Sequence, residues 1–587
     1  MPLFPQLEQQ YTQQLVTDTF GGYNHQLKLP DGEWYETWNL TTDYAPMMAN
    51  RKPRGVTGKT ACGLIEKKSL AYVGTDGTLY FDWLATGLTG LTNGPKQMVS
   101  MGAYIVIFPD KKYINTENLS DYGSLEATYT GSATYQMCRY DGTVFTATTS
   151  AVEPLNPQNG DYWIDTSGTT HILKQWSDTQ QDWISVETVY IKITAAGIDD
   201  QFGDLDGVEI SGSSIEDVNG DKVIYDIGED WIMVTGLADT IPVDAETITV
   251  ARTVPSLDYV CECQNRLWGC YYGLGIDGKP INEIYCCALG DFKNWRQYQG
   301  LSTDSWTGSV GSDGQWTGCV NYLGYPTFFK ENRIHRVTIS TEGAHRIDET
   351  VCRGVQKGSS KSLVVVNETL YYKSAKDVCA YQGGFPQGVS QAFGNKVYYH
   401  AVAGAANGKY YISMLDENDD PRLFVYDINK GIWLQEDNSA MTDFATVGSE
   451  LYGLTSSGDI VTMFGYLPEL EGAEYATDYD WGAMSGIQYY EYPENKRVSR
   501  YNIRMRMTAG AVVRVYLRYD LDIAGMETNQ SDWQLVAEVS AAEANIDHYV
   551  LPVRPHRCDH LQLCIEGTGD MQIYSIAKIL EVGSDYR

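Results

Sequence analysis

Short runs of apolar and aromatic residues alternate with polar turns along most of the chain. In residues 69–82 and 103–115, two such runs flank a turn that contains Gly, Asp or Lys, which is the pattern of a β-hairpin. Five more hairpins follow beyond residue 250, at a spacing of about 40 residues. Repetition at this period is typical of small sheets arranged radially, and it predicts a β-propeller of about six or seven blades. A stacked pair of β-sandwiches is the alternative.

Three parts of the chain depart from this repeat. The first has a turn signal every few residues and no helical period, so it predicts an extended arm. A second part interrupts the hairpins and reads as a β-rich insertion into a propeller loop. The last part has long strands with apolar residues at every second position, typical of an antiparallel β-sandwich. The predicted segments are an N-terminal arm at 1–60, first blades at 61–116, an inserted acidic module at 117–250, remaining blades at 251–475 and a sandwich at 476–587.

The amino-acid composition agrees with a mainly β fold, and the net charge excludes one class of function. The chain has 43 tyrosines, 14 tryptophans and 57 glycines, which favours strands over helices. Its formal net charge of −33 excludes a protein that grips nucleic acid over its whole surface, because such a protein needs basic groups to displace the counterions of phosphates. The charge is also uneven: residues 191–250 carry 14 acidic residues against two lysines, a net charge of −12.

The sequence contains no recognisable catalytic, nucleotide-binding or metal-binding motif. The twelve cysteines show no CxxC pair and no Cys/His spacing of a zinc site, so we expect reduced, mostly buried thiols and synthesis in a reducing cytoplasm. No secretory signal is expected, and no apolar stretch reaches the length of a membrane span. No nucleophile elbow, P-loop or HExxH spacing occurs. The sequence therefore predicts no cofactor, no metal site and no enzyme.

Two groups of residues are candidates for function. The first group consists of acidic residues of the insertion that we expect to face a channel or an exposed rim: Asp199, Asp200, Asp204, Asp206, Glu209, Glu216, Asp217 and Asp221. The second group is aromatic and could form a stacking platform for sugar rings: Trp163, Trp176 and Trp183. The alternative for the tryptophans is that they form the core of a small β module.

Several phrases of the chain resemble bacteriophage tail proteins of the nozzle type. They are Phe20-Gly-Gly-Tyr-Asn24, Asp31-Gly-Glu33, Asn39-Leu-Thr-Thr-Asp43, Arg51-Lys-Pro-Arg54-Gly55, Val254-Pro-Ser-Leu-Asp258, Asn265-Arg-Leu-Trp-Gly269, Val378-Cys-Ala-Tyr-Gln-Gly-Gly384, Val425-Tyr-Asp-Ile-Asn-Lys-Gly-Ile-Trp433, Arg557-Cys-Asp-His560, Glu566-Gly-Thr-Gly569, Tyr574-Ser-Ile576 and Gly583-Ser-Asp585. The resemblance covers most of the chain outside the insertion. It implies a structural virion protein built on a β-propeller, with no catalytic residue to carry over.

The resemblance also implies partners and a location. Nozzle proteins assemble as a homo-oligomeric ring, commonly a hexamer, that continues the portal and adaptor channel and retains DNA until ejection. We therefore expect a virion protein of the phage tail, assembled in the host cytoplasm, that contacts adaptor, portal and other tail proteins and passing viral DNA without binding it specifically. A negative channel wall would let DNA slide. A receptor-binding or glycan-binding tail protein is the second hypothesis, and a propeller glycosidase is the third.

Overall fold

The computed structural model describes residues 11–26, 28–275, 278–340, 344–477, 479–488, 496–520, 533–542, 549–552 and 557–582. Residues 1–10 of the predicted arm and the phrase Gly583-Ser-Asp585 lie outside this part. The described residues form strands, with three short 3-10 turns at Glu216–Val218, Ser360–Ser362 and Gln391–Phe393. This confirms the predicted mainly β fold. No helix in the described ranges has the length and apolar character needed to cross a membrane.

The chain divides into two compact units. One unit comprises Met1–Ala85 with Cys352–Arg587, and the other comprises Thr86–Val351. The five segments predicted from the sequence divide the chain at other places and stay a prediction.

The unit at 86–351 contains three four-stranded antiparallel sheets of the blade type. Within this unit, the first strands of consecutive sheets contact one another, and apolar clusters fill the space between the sheets. The strands of the three sheets are Gln97–Met101, Tyr104–Phe108, Lys112–Asn115 and Tyr122–Ser124; Tyr259–Glu262, Leu267–Leu274, Pro280–Cys286 and Trp306–Ser309; and Gly318–Tyr322, Tyr325–Lys330, Arg333–Thr338 and Arg346–Val351.

Between the first and second of these sheets, the same unit carries two further sheets that form the insertion. The larger sheet has seven strands: Ala127–Cys138, Tyr190–Thr194, Gly207–Ser211, Gly220–Val223, Asp226–Gly228, Trp231–Thr235 and Glu246–Arg252. The smaller sheet has four: Ala147–Ser150, Tyr162–Asp165, Ile172–Ser177 and Asp182–Ser185. The larger sheet has its own apolar core of mainly Ile and Val side chains, as expected for a β layer with one packed face.

The other unit contains four more sheets of the blade type, so the described residues hold seven in all. This agrees with the prediction of about six or seven blades. Their strands are Arg54–Lys67, Ser69–Gly74, Leu79–Phe81 and Leu84–Ala85; Val364–Val366, Thr369–Lys373, Val378–Tyr381 and Gln387–Gly388; Tyr399–Ala406, Lys409–Leu415, Pro421–Asp427 and Ile432–Asp437; and Met441–Val447, Glu450–Thr455 and Asp459–Thr462. Glu474–Ala476 adds an edge.

One long strand, Arg54–Lys67, belongs to two of these sheets. Its first half pairs with Asp459–Thr462 and completes the last sheet, whereas its second half pairs with Ser69–Gly74 in the first sheet. A strand from early in the chain therefore supplies the fourth strand of a sheet whose other strands come much later, with 403 residues between Thr57 and its partner Ile460.

A β-sandwich in the same unit combines the arm with the C-terminal strands. One sheet contains Tyr11–Thr17, Leu40–Thr41, Met48–Asn50, Lys496–Met507, Tyr549–Pro552 and Met571–Val582; the other contains Glu36–Trp38, Trp481–Met484, Val512–Tyr519, Gln534–Ser540 and Leu561–Thr568. Apolar side chains of both sheets form one core. The arm strands are thus integral to the sandwich. Gly22–Tyr23 and Glu33–Trp34 of the arm form a separate short parallel pair.

Candidate functional site

Two acidic residues of the insertion, Glu209 and Asp221, lie on neighbouring strands at one edge of the seven-stranded sheet. On Gly207–Ser211, Val208 and Ile210 are buried, and Glu209 between them is exposed. Glu209 lies directly opposite Asp221 on the neighbouring strand. Two like charges at such a cross-strand position destabilise a sheet unless a third group compensates.

Arg296 supplies that compensation. Its Nη1 lies 3.1 Å from Oε2 of Glu209 and 2.8 Å from Oδ1 of Asp221. Burial acts to lower the pKa of Arg296, but the hydrogen bond to Asp221 and the two carboxylate charges outweigh it, so the pKa lies above its usual value. These two acids are therefore partly neutralised.

Two further acidic residues hold loops in place. Oδ1 of Asp199 accepts a hydrogen bond from the backbone N–H of Asp230 over 3.0 Å. Oδ2 of Asp217 accepts one from the backbone N–H of Leu237 over 2.8 Å, and its Oδ1 lies 3.4 Å from Nζ of Lys222. Carboxylates used in this way fix turns between strands.

Three of the predicted acidic residues have carboxylates that are exposed to solvent. Asp200, Asp204 and Glu216 are exposed, and no hydrogen bond or ion pair joins their side chains to another described residue. We call these three residues the exposed acidic trio. Unpaired surface carboxylates repel polyanions such as nucleic acid over roughly a Debye length.

Asp206 corrects the sequence prediction, because it is buried and cannot line a channel or rim. It is 5% exposed, and its Oδ2 accepts hydrogen bonds from Nη1 of Arg252 and from the backbone N–H of Gly203 over 2.8 Å. A buried carboxylate needs such a partner to remain charged. Asp206 is therefore a structural residue of the insertion.

The predicted sugar platform is also corrected. Trp163 and Trp183 are 6% and 8% exposed and meet edge to face with ring centroids 5.4 Å apart. Nζ of Lys174 lies 4.8 Å from the centroid of the Trp163 ring. Trp176 is half-buried, and its ring lies 5.6 Å from that of Trp183. The three tryptophans pack against one another, and the two buried rings offer no face to a sugar. The apolar core of the small sheet is formed by other residues, among them Ile164 and Leu173.

The unit that contains the sandwich has a cavity of about 700 Å³ that was not predicted from the sequence. Residues of the arm and of the C-terminal part of the chain line it, among them Gln13, Trp34, Gln488 and Lys578. Nζ of Lys578 lies 3.3 Å from Oε1 of Gln488, and burial lowers the pKa of Lys578 against the opposing charge of Asp31. No local spacing could have revealed this cavity, because its walls come from both ends of the chain.

In the described ranges, no three His, Cys, Asp or Glu side chains converge as metal ligands would. The twelve cysteines are free thiols, and most are buried.

Comparisons with known proteins give distant likenesses only. No family model and no curated protein matches the sequence. Two similar solved structures are a GH43 glycoside hydrolase engineered to display both endo-xylanase and exo-arabinofuranosidase activity, and a glycoside hydrolase family 43 arabinoxylan arabinofuranohydrolase from Bacillus subtilis in complex with cellotetraose. Each is 10% identical to the chain; the matches cover 55% and 54% of this chain and 97% and 94% of the other chains, with TM-scores of 0.20 and 0.16.

These neighbours bear on one prediction. Both are enzymes, contrary to the prediction from sequence motifs that this chain is not an enzyme, and that prediction is withdrawn. At these TM-scores the likeness assigns no activity, substrate or residue role to the chain.

Proposed function

We propose that the chain is a bacteriophage tail protein that forms part of a nozzle or connector ring and lines a passage for DNA. The observation that carries the proposal is the exposed acidic trio, Asp200, Asp204 and Glu216, whose carboxylates face solvent without a partner in the described part of the chain. A wall of such groups offers no cation to exchange for the counterions of a phosphate, so DNA slides past it. The resemblance of the arm and the C-terminal phrases to nozzle-type proteins supports this role.

The proposed function requires several copies of the chain to assemble. The chain would form a homo-oligomeric ring, sixfold by the resemblance, between adaptor or portal proteins and other tail proteins of the virion. The acidic surface of the ring would repel the phosphates of passing DNA and would not bind them.

Electron microscopy of the purified full chain tests the assembly. Rings with the exposed acidic trio on the lumen or on an open rim are expected. Monomers at every concentration, or rings that bury the trio in subunit contacts, would refute the proposal.

A charge substitution on assembled rings tests the role of the trio. The triple variant Asp200→Lys, Asp204→Lys and Glu216→Lys should retain duplex DNA at low salt, with retention that falls steeply as salt rises. The matched control carries the same charge change on exposed acids of the other unit, Glu469→Lys, Glu471→Lys and Glu474→Lys. Equal DNA retention by both variants would show that the position of the trio does not matter.

A receptor-binding or glycan-binding tail protein is the second candidate, and the cavity of about 700 Å³ favours it. This volume lies within the range of sites for small organic ligands, which combine an apolar wall with a few polar groups. Trp34 supplies an aromatic wall, and Gln488 and Lys578 supply hydrogen-bonding groups. A glycan array separates the candidates: saturable sugar binding that is lost in Lys578→Met and kept in Trp176→Ala would favour the second.

A further inference from the structure

Lys330 is a buried lysine that has no acidic partner among the residues that the structure describes. It ends the strand Tyr325–Lys330 and is 1% exposed. No carboxylate of a described residue lies within ion-pair distance of its Nζ. Instead, Nζ donates hydrogen bonds to the carbonyl oxygen of Ser312 over 2.5 Å and to Oδ1 of Asn282 over 3.2 Å. Lysines are almost never buried in this way unless they are paired.

Lys96 in the same unit shows the ordinary arrangement. It is 2% exposed, and its Nζ lies 2.6 Å from Oδ2 of Asp110 and 2.7 Å from Oγ1 of Thr92. There the carboxylate balances the ammonium charge. At Lys330, the groups within reach are an amide, a carbonyl and two aromatic rings, with Nζ 4.5 Å from the ring centroid of Trp316 and 5.6 Å from that of Tyr272.

The amide of Asn282 is held with its oxygen toward Lys330. Its Nδ2 donates to the carbonyl oxygen of Val310 over 2.8 Å and to that of Ser312 over 2.7 Å. The Ser312 oxygen thus accepts from both nitrogens, the amine of Lys330 and the amide of Asn282. This common acceptor holds the amine against the amide group, with Nζ 3.2 Å from Oδ1, and fixing two reacting groups in contact is a large part of what a reaction between them requires.

The surroundings also favour the nucleophilic form of the amine. Burial lowers the pKa of Lys330, and the carboxylates of Glu349 and Asp313 oppose the change without cancelling it. A neutral amine attacks a carbonyl carbon, whereas an ammonium ion does not.

We propose that Lys330 and Asn282 join in an intramolecular isopeptide bond. Nζ of Lys330 attacks Cγ of Asn282, a C–N bond forms between them, and the bond from Cγ to Nδ2 breaks. Nδ2 leaves as ammonia with the proton that the amine gives up, so the reaction consumes no water and needs no oxidant. The carbonyl oxygens of Val310 and Ser312 accept the N–H groups of the departing nitrogen. The bond ties Pro280–Cys286 covalently to Tyr325–Lys330 in the next sheet, and it is independent of the function proposed above.

Intact mass spectrometry of the denatured full chain tests the bond. The chain should weigh one ammonia less than its sequence requires, after any N-terminal processing. Digestion should release a branched peptide whose fragments contain both Lys330 and Asn282. A mass equal to that of the sequence would overturn the proposal.

Variants identify the source of the loss. Lys330→Arg should restore the full mass, and Lys96→Arg, the lysine with a carboxylate partner, should keep the loss. An ammonia loss that persists in Lys330→Arg would overturn the proposal, because dipeptides such as Asn93-Gly94 and Asn407-Gly408 can lose ammonia as succinimides. The branched peptide of the unmodified chain decides the matter even if a variant fails to fold, since its absence also overturns the proposal.

Discussion

Arg252 and Asp206 form an ion pair in which Nη1 lies 2.5 Å from Oδ2, with side chains that are only 9% and 7% exposed. Nε of Arg252 donates to the carbonyl oxygen of Leu125 over 3.0 Å. The pair joins the loop before Gly207–Ser211 to the last strand of the insertion. Asp206 therefore has a structural role in the interior, although it belongs to the acidic segment of the insertion.

We expect Asp206→Asn to lower the free energy of unfolding by about 3–5 kcal/mol, because the change leaves the charge of Arg252 buried without its partner. Urea denaturation followed by tryptophan fluorescence measures the effect. Asp204→Asn, two residues earlier and exposed, is the control and should change stability by about 0.5 kcal/mol or less. Equal effects of the two changes would contradict the structural role of Asp206.

Trp163→Ala should destabilise the small sheet of the insertion by about 3–5 kcal/mol, since it removes a large buried ring. Trp176→Ala should have a smaller effect, because Trp176 is half-buried. Limited proteolysis of residues 139–186 reports the local unfolding directly. Unchanged protease resistance in Trp163→Ala would argue that the ring is not part of a core.

Tyr501→Phe should leave stability unchanged or raise it by about 1 kcal/mol. The hydroxyl of Tyr501 is fully buried and has no hydrogen-bond partner among the described residues, so its removal deletes a polar group that they leave uncompensated. Tyr410→Phe is the matched control, because the equally buried Tyr410 hydroxyl donates to the carbonyl oxygen of Ser362 over 2.8 Å. Thermal unfolding should rank Tyr410→Phe below the unmodified chain, and a drop in both variants would contradict the prediction.

Acid should weaken the fold through His335. Burial lowers the pKa of His335 to about 4, below the ordinary value of 6.5. Between these two values the unfolded chain takes up a proton that the folded chain does not, so stability falls as the pH decreases from 6.5 toward 4. His335→Gln should flatten this part of the curve of unfolding free energy against pH. A curve that keeps its slope would assign the acid sensitivity to other groups.

The hairpins could be predicted because their signal is local. Residues 69–82 carry apolar alternation, a turn and a second strand within a few residues, and the structure forms strands Ser69–Gly74 and Leu79–Phe81 there. The double role of Arg54–Lys67 could not be predicted in the same way, because its partner Asp459–Thr462 lies far along the chain.

The candidate site shows the same limit. Alternation correctly indicates that Glu209 points outward, because its neighbours Val208 and Ile210 are apolar. The sequence around Asp206 does not indicate that its carboxylate is buried in an ion pair with Arg252, 46 residues later. Lys330 and Asn282, 48 residues apart, are likewise brought together only by the packing of two sheets.

The sharing of Arg54–Lys67 between two sheets has a consequence for the order of folding. During translation this strand emerges long before Asp459–Thr462, from which 403 residues separate it at Thr57 and Ile460. Until then, the first half of the strand lacks the partners that it has in the finished sheet, and open strand edges promote pairing between nascent chains. The sheet that contains this edge is among the last to be completed, so aggregation on the ribosome should be governed by how long the edge remains unpaired.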